Sequence, residues 1–318
     1  MIPLKFVIIT LFFVSFFSTL ILTKLYIRKA IARGLVVKDM YKPGETMVPH
    51  MGGIVILTGI VIGLIMSQFS RVNMIPLLLF YFVVILYAIY GLVDDLLAFK
   101  NKITKLWVLF FFAVPISILT VDTNLNLLFF NLELGWFYAF IFAPFYIMVV
   151  AHLINFHEGF NGLATGSTLI MLIFAAIKSY MLNGWSYSIL LVPLIAATLA
   201  FMYFHFYPAK VLCGNVGTYL VGSALGAFLV LANIEFFGVI ILMPHIINFI
   251  LWPIWCLKMK KYPYQKFGKL RSDGTVETPN YFTLKYAVCR MFKVTEWQAT
   301  LICYGLTLFF CIIGLIFF

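Results

Sequence analysis

Long apolar runs alternate with short polar stretches along nearly the whole chain. Ten runs can be drawn, at about 2–27, 51–69, 74–93, 104–121, 135–154, 165–182, 187–204, 217–232, 237–257 and 297–317, and a helix needs about 20 apolar residues to cross a bilayer. None shows the in-out alternation of a membrane-spanning strand. The pattern predicts an all-α, polytopic membrane protein of about ten transmembrane helices. No linker, fixed-period repeat or low-complexity segment divides it, so residues 1–318 read as one integral-membrane domain.

Composition excludes a soluble globule: 64% of the residues are hydrophobic and 10% charged, against about 25% charged in soluble domains. A net charge of +11 would suggest nucleic acid in a soluble protein, but here it sorts by side of the membrane. Lys5 precedes the first run, while Lys24, Arg28, Lys29 and Arg33 close it. The run therefore reads as an uncleaved signal anchor with its N-terminus outside, and an even number of spans puts the C-terminus outside too. The inner loops then carry Lys38 and Lys42, Lys100, Lys102 and Lys105, Lys210, and the basic group from Lys258 to Lys293; the outer side has little beyond Lys5, Arg71 and Lys178. The five cysteines form no CxxC pair, so neither a disulfide framework nor a zinc site follows.

Candidate chemistry lies on the inner loops. The run beginning near Met74 ends in Asp94-Asp95. Adjacent carboxylates at a membrane rim repel each other and lose solvation, which calls for a cation or a basic partner, although a solvated helix end beside lysines has the same appearance. In the first inner loop, Lys42 reads as a phosphate partner or a positive-inside lysine, and Gly52-Gly53 permits close backbone approach. Asn155, Glu158 and Asn161 repeat at a spacing of three, which can bring three side-chain oxygens to one side of a last helical turn; such hard donors suit Mg²⁺. Gly214 and Gly217 free backbone N–H groups at a helix start, a seat for an anion, and Asn215 between them also suits a helix cap. Lys258, Lys260, Lys261, Lys266, Lys269 and Arg271 form a basic cluster that fits a phosphate or anionic lipid headgroups.

Taken in order, these loops resemble the polyprenyl-phosphate N-acetylhexosamine-1-phosphate transferases (glycosyltransferase family 4), and most of all their archaeal and eukaryotic dolichyl-phosphate branch. Asp39, Lys42, Pro49, Gly52 and Gly53 look like the family's first loop; Asp94-Asp95 with Lys105 like its aspartate pair and trailing lysine; Asn155–Gly162 like Asn-x-x-Asp-Gly-x-Asp-Gly; and Gly214–Gly217 like Gly-Asp-x-Gly. Pro244-His245-Ile-Ile-Asn248-Phe249 is similar to a His-containing element of that branch that reads the sugar phosphate. The resemblance implies Asp94 and Asp95 as catalytic residues, Asn155, Asn215 and Glu158 around Mg²⁺ (or Mn²⁺), and Lys42, Lys105, Asn161, Gly214, Lys260 and Lys261 on the substrates. It implies transfer of N-acetylhexosamine 1-phosphate, GlcNAc 1-phosphate above others, from a UDP-sugar to polyprenyl or dolichyl phosphate with release of UMP. This would be the first membrane step of a cell-envelope glycan or of N-glycosylation. The implied setting is a cytoplasm-facing site in an archaeal-like cell membrane, or the endoplasmic reticulum in a eukaryote, with membrane lipid and a second copy as partners and no nucleic acid. The chain departs from the pattern at Asn215, Glu158 and Asn161, each an aspartate in the motifs, at Ala98 in place of a third acid, and at Leu212 in place of an aromatic residue expected to stack on uracil. Two alternatives stay open: a relative that binds lipid phosphate or nucleotide without turnover, and a small-solute transporter, whose ionisable groups would lie nearer the bilayer midplane.

Overall fold

The structure, a computed structural model, describes residues 4–67, 75–99, 101–120, 122–127, 130–258 and 267–318. Helices dominate: α1 (Leu4–Ala32), α2 (Gly53–Ser67), α3 (Ile75–Leu97), α4 (Lys102–Ala113), α5 (Ala143–Phe156), α6 (Leu163–Asn183), the short α7 (Trp185–Ser188), α8 (Val192–His205), α9 (Gly214–Leu231), α10 (Glu235–Ile241), α11 (Met243–Lys258), α12 (Leu284–Phe292) and α13 (Glu296–Phe317). Three two-stranded antiparallel hairpins fill connections: β1 (Val36–Lys38) with β2 (Met47–Pro49), β3 (Asn124–Asn126) with β4 (Asn131–Glu133), and β5 (Lys269–Leu270) with β6 (Val276–Glu277).

Each apolar run of the sequence falls on a helix, but they differ in reach. Among the described residues seven helices are long and apolar enough to cross a membrane, or eight if the bent pair α10–α11 counts as one span; Gly53–Met66 and Ile103–Ile118 are shorter apolar helices. The bend of 67° between α10 and α11 falls where Pro244 opens the second helix, a position at which proline's missing N–H costs nothing but an unbroken helix could not continue.

α9 is the hub, with all but Asn215 of its eighteen residues buried. It can be, because small residues line it. A Cβ added at Gly222 would stand 2.9 Å from the Ala151 Cα, and one at Gly226 would stand 3.0 Å from the Ile147 Cα, so α5 lies directly on the α9 backbone in the small-residue manner of membrane helix pairs. α3 packs along another side of α9, and α1 packs against α2 and α8. On α1 the exposed side chains include Phe6, Phe13, Phe17 and Ile21, a lipid-facing surface rather than a wet one.

Candidate active site

The centre of the site is the start of α9. Gly91 brings α3 so close that a Cβ there would lie 2.4 Å from the Asn215 carbonyl oxygen, and the next turn of α3 carries Asp94 and Asp95 past the end of α9. Asp95 accepts hydrogen bonds from the backbone N–H groups of Asn215 (3.0 Å) and Val216 (3.1 Å). Its carboxylate thus satisfies two donors that a helix leaves open at its N-terminus, and it sits at the positive end of the helix dipole.

Asp94 faces the other way. Lys105, from α4, places its ammonium 2.6 Å from Oδ1 and 2.8 Å from Oδ2, and the Phe99 N–H donates to Oδ1 (3.2 Å). The side-chain amide of Asn215 donates to Asp94 Oδ2 (3.1 Å), while its own oxygen accepts from the Asn155 amide (2.8 Å), which also donates to Thr218 Oγ1 (2.9 Å). A continuous polar chain therefore runs Lys105, Asp94, Asn215, Asn155, Thr218 across α4, α3, α9 and α5. It borders a cavity of about 680 Å³ whose lining includes Asp94, Asp95, Asn155, Glu158, Asn161 and Asn215, with Asp39, His50, His205, Leu212 and Phe267 also reaching it.

The first inner loop closes over this region by backbone contact: Leu212 N–H donates to Pro49 O, Gly52 N–H to Leu212 O and Gly53 N–H to Cys213 O, each at 2.8 Å. The Lys42 side chain, from the same loop, is 7% exposed. Its ammonium lies 3.3 Å from Asp39 Oδ2 and 2.5 Å from Glu296 Oε2, over the Tyr207 ring. Glu296, the first residue of α13, accepts from Asn161 N–H (2.7 Å), and Asn161 Oδ1 accepts from Ala209 N–H (3.0 Å). A second cation, Lys285 of α12, donates to the Glu158 carbonyl oxygen (2.5 Å) and lies against the rings of Phe160 and Tyr286. Its ammonium occupies the space a side chain would take at Gly159, where an added Cβ would meet Nζ at 2.1 Å and φ is +131°.

The chain as a whole has counterparts among known proteins. A protein of Saccharolobus solfataricus named as an inferred UDP-N-acetylglucosamine–dolichyl-phosphate N-acetylglucosaminephosphotransferase is 30% identical over 314 residues, covering 95% of this chain and 94% of its own. The sequence profile of glycosyl transferase family 4 matches residues 77–233. The chain belongs to glycosyl transferase family 4. A Sulfolobus acidocaldarius protein of the same inferred name is 30% identical over 317 residues, 96% of this chain and 94% of its own. A Bacillus subtilis protein named as an inferred undecaprenyl-phosphate N-acetylglucosaminyl 1-phosphate transferase is 29% identical over 248 residues, 74% of this chain and 66% of its own.

In this family-4 member the expected site residues mostly converge. Asp94, Asp95, Asn155, Glu158, Asn161 and Asn215 share one cavity, and Lys105 is bound to Asp94. Two expected substrate contacts have partners within the protein or beside them. At the Gly214–Gly217 helix start the Asn215 and Val216 N–H groups donate to the protein's own Asp95; Gly214 gives that carboxylate room, since a Cβ there would stand 2.6 Å from Asp95 Oδ2. Lys42 is the middle of an ion triad with Asp39 and Glu296 that ties the first loop to α13. Lys260 and Lys261 lie outside the described residues. His245, expected to read a sugar phosphate, is buried against His157 with ring centroids 4.4 Å apart. Burial, then the neighbouring His245 and Lys285, hold the His157 imidazole well below its ordinary pKa, so it is neutral.

Glu296, Lys285 and Thr218 escaped the sequence reading, since each acts on a residue far away in the chain. The one available signal was a glutamate opening an otherwise apolar run at 296, a residue type that rarely enters a span without a partner.

The donor set suits a hard divalent cation. Among the described residues no three His, Cys, Asp or Glu side chains close into a ready-made cage, but the cavity combines carboxylates with the amides of Asn155 and Asn161. That is the partial shell that Mg²⁺ takes when substrate phosphates complete its coordination.

Proposed function

We propose that this protein transfers N-acetylhexosamine 1-phosphate, GlcNAc 1-phosphate in the first instance, from a UDP-sugar to a polyprenyl or dolichyl phosphate. UMP leaves and a lipid diphosphosugar remains. The names of the two full-length relatives support the substrates. The observation that carries the reading is the Lys105–Asp94–Asn215–Asn155 chain along a cavity at the end of a membrane span, where a lipid phosphate and a soluble sugar nucleotide can meet.

A phosphate monoester has its second pKa near about 6, so the acceptor is largely dianionic at neutral pH and needs little help from a base. Its oxygen forms a bond to the β-phosphorus as the bond from that phosphorus to the bridging oxygen breaks, and the bridging oxygen leaves on UMP. The protein's task is then alignment and charge neutralisation. Asp94 fixes the direction of the Lys105 ammonium, which stays partly exposed beside the cavity and offers its remaining protons to phosphate oxygens. Asn215 spaces Asp94 from Asn155, and Lys285 sets the backbone at Glu158. Asp94, Glu158 and the Asn155 oxygen would hold Mg²⁺, with Mn²⁺ as a substitute; bound there it neutralises diphosphate charge.

Ten spans, with the two shorter apolar helices included, would put both termini outside and the cavity on the cytoplasmic side, in agreement with the inner-loop lysines. An archaeal-type cell membrane fits the two full-length relatives. Asn215 favours one second reading, a relative that binds these ligands without turnover, because an amide brings no charge to the cation. Release of UMP from UDP-GlcNAc with dolichyl phosphate, followed across a Mg²⁺ titration, tests both. No release with any UDP-N-acetylhexosamine, together with retained lipid-phosphate binding, would leave the second reading standing.

A further inference from the structure

We propose that Arg271, Arg290 and Lys293 form a binding site for the phosphate of an anionic phospholipid headgroup, at the bilayer surface where α13 enters the membrane.

The β5–β6 hairpin and the last turn of α12 enclose a cavity of about 390 Å³, separate from the candidate active site. Arg271 reaches it from the hairpin, and Arg290 and Lys293 from the helix end, over a base formed by the buried Val276 and Cys289. Arg290 lies against the Tyr281 ring, 5.0 Å from its centroid, and Arg271 makes one long hydrogen bond, to Thr275 Oγ1 at 3.4 Å. None of the three takes part in a salt bridge among the described residues. Glu277 is the one carboxylate in the lining. Three cations held around one small cavity repel each other, and a bound anion removes that cost. The negative end of the α12 dipole accounts for a cation at 290 or 293, but not for Arg271, which another element delivers.

The surroundings select a lipid over a free anion. α12 turns its Leu284, Tyr286, Val288 and Cys289 inward and leaves Met291 (74% exposed) and Phe292 (58% exposed) bare next to the cations. Lys293 then takes a left-handed conformation (φ 49°), and Thr295 caps α13, whose apolar span starts within one turn with Trp297 exposed. Hydrogen bonding of Val276 N–H to Val294 O (3.1 Å) fixes the hairpin to this corner. Basic residues beside bare apolar ones and a tryptophan at a span's entry are the chemistry of the headgroup–acyl boundary. A soluble phosphate would make no use of Met291 and Phe292.

The test uses the full-length protein in nanodiscs of phosphatidylcholine, with phosphatidylglycerol as the probe lipid and native mass spectrometry as the readout of lipid retained. Each basic residue near an anionic surface is worth about a fivefold change in binding, about 1 kcal/mol, so the Arg271→Gln/Arg290→Gln/Lys293→Gln variant should lose phosphatidylglycerol on the order of a hundredfold. Lys24→Gln/Arg28→Gln/Lys29→Gln removes the same charge from the exposed end of α1 and should leave retention within a fewfold of wild type. Equal loss in both variants would mean a diffuse charge effect and overturn the site. So would displacement of the lipid by inorganic phosphate at matched concentration, which would make it a soluble-anion site. Should the triple variant fail to fold, the exposed single change Arg271→Gln carries the decision: a fivefold loss supports the site, and unchanged retention refutes it.

Discussion

Asp94 and Asp95 are neighbours in sequence with different work, and Asp95→Asn separates them. The Asp95 carboxylate accepts two backbone N–H groups at the head of α9. An asparagine keeps one acceptor oxygen and turns an N–H toward the other donor, so one charge-assisted hydrogen bond is lost, about 1.5–3 kcal/mol. The attraction of the charge to the helix dipole goes as well, about 1 kcal/mol in a partly buried position. Relief of the carboxylate's own desolvation returns part of this, so the net loss is about 2 kcal/mol. Because α9 is the buried hub, that loss should appear as a lower melting temperature of the whole protein in detergent, followed by tryptophan fluorescence. UMP release should fall too, by about a hundredfold, since a displacement of about 1 Å at a reacting centre costs that much. Asp94→Asn leaves the cap intact. It should melt near wild type yet lose about a hundredfold or more in transfer, because it frees Lys105 and removes a preorganised charge. An Asp95→Asn protein with unchanged melting and abolished transfer would refute the capping role and return Asp95 to the chemistry itself.

Asn215→Asp would set a carboxylate about where the amide now stands, 3.1 Å from Asp94 Oδ2. It should lower the Mg²⁺ concentration needed for transfer and reduce the melting temperature in EDTA, whereas Glu158→Gln should raise the metal requirement; identical metal titrations in all three proteins would remove Glu158 from the metal shell and Asn215 from its neighbourhood. Lys285→Met should raise that requirement about tenfold, the scale of one lost charged hydrogen bond, with Lys285→Arg closer to wild type, and hydrogen exchange at residues 157–161 should rise in the Met variant only. Lys42→Met leaves Asp39 and Glu296 buried without their cation, a loss of about 3–5 kcal/mol in stability, so it should reduce the yield of folded protein while the KM for UDP-GlcNAc in the surviving fraction stays unchanged. Cysteine labelling should find residues 267–283 reactive from the cytoplasmic side only; reactivity from outside would break the topology that lets the inner loops meet.

The parts of the site that were legible in the sequence are those whose signal is local. Asp94-Asp95 announces itself because carboxylates end an apolar run, and Asn155, Glu158 and Asn161 because three polar side chains recur at a run's end; all three line the cavity, but α5 stops at Phe156, so Glu158 and Asn161 reach it from the turn beyond rather than from a helical turn. The apolar runs located every long helix, but among the described residues 51–69 and 104–121 carry only shorter apolar helices, Gly53–Met66 and Ile103–Ile118. What stayed hidden was pairing. Lys42 and a phosphate-binding lysine have the same local surroundings, and only the fold brings Glu296 to the first. The Asp95 carboxylate at the start of α9 was hidden for the same reason: the sequence carries no information on how close Gly91 lets α3 come to Asn215.

Glu296 opens α13 and contacts both Lys42 and the Asn161 backbone. The ribosome makes α13 after every other element that borders the cavity. Until that helix inserts, Lys42 has one carboxylate instead of two and the Asn161 loop lacks its acceptor, so the polypeptide emerges with its reactive centre unfinished. Insertion of α13 and completion of the site become the same event.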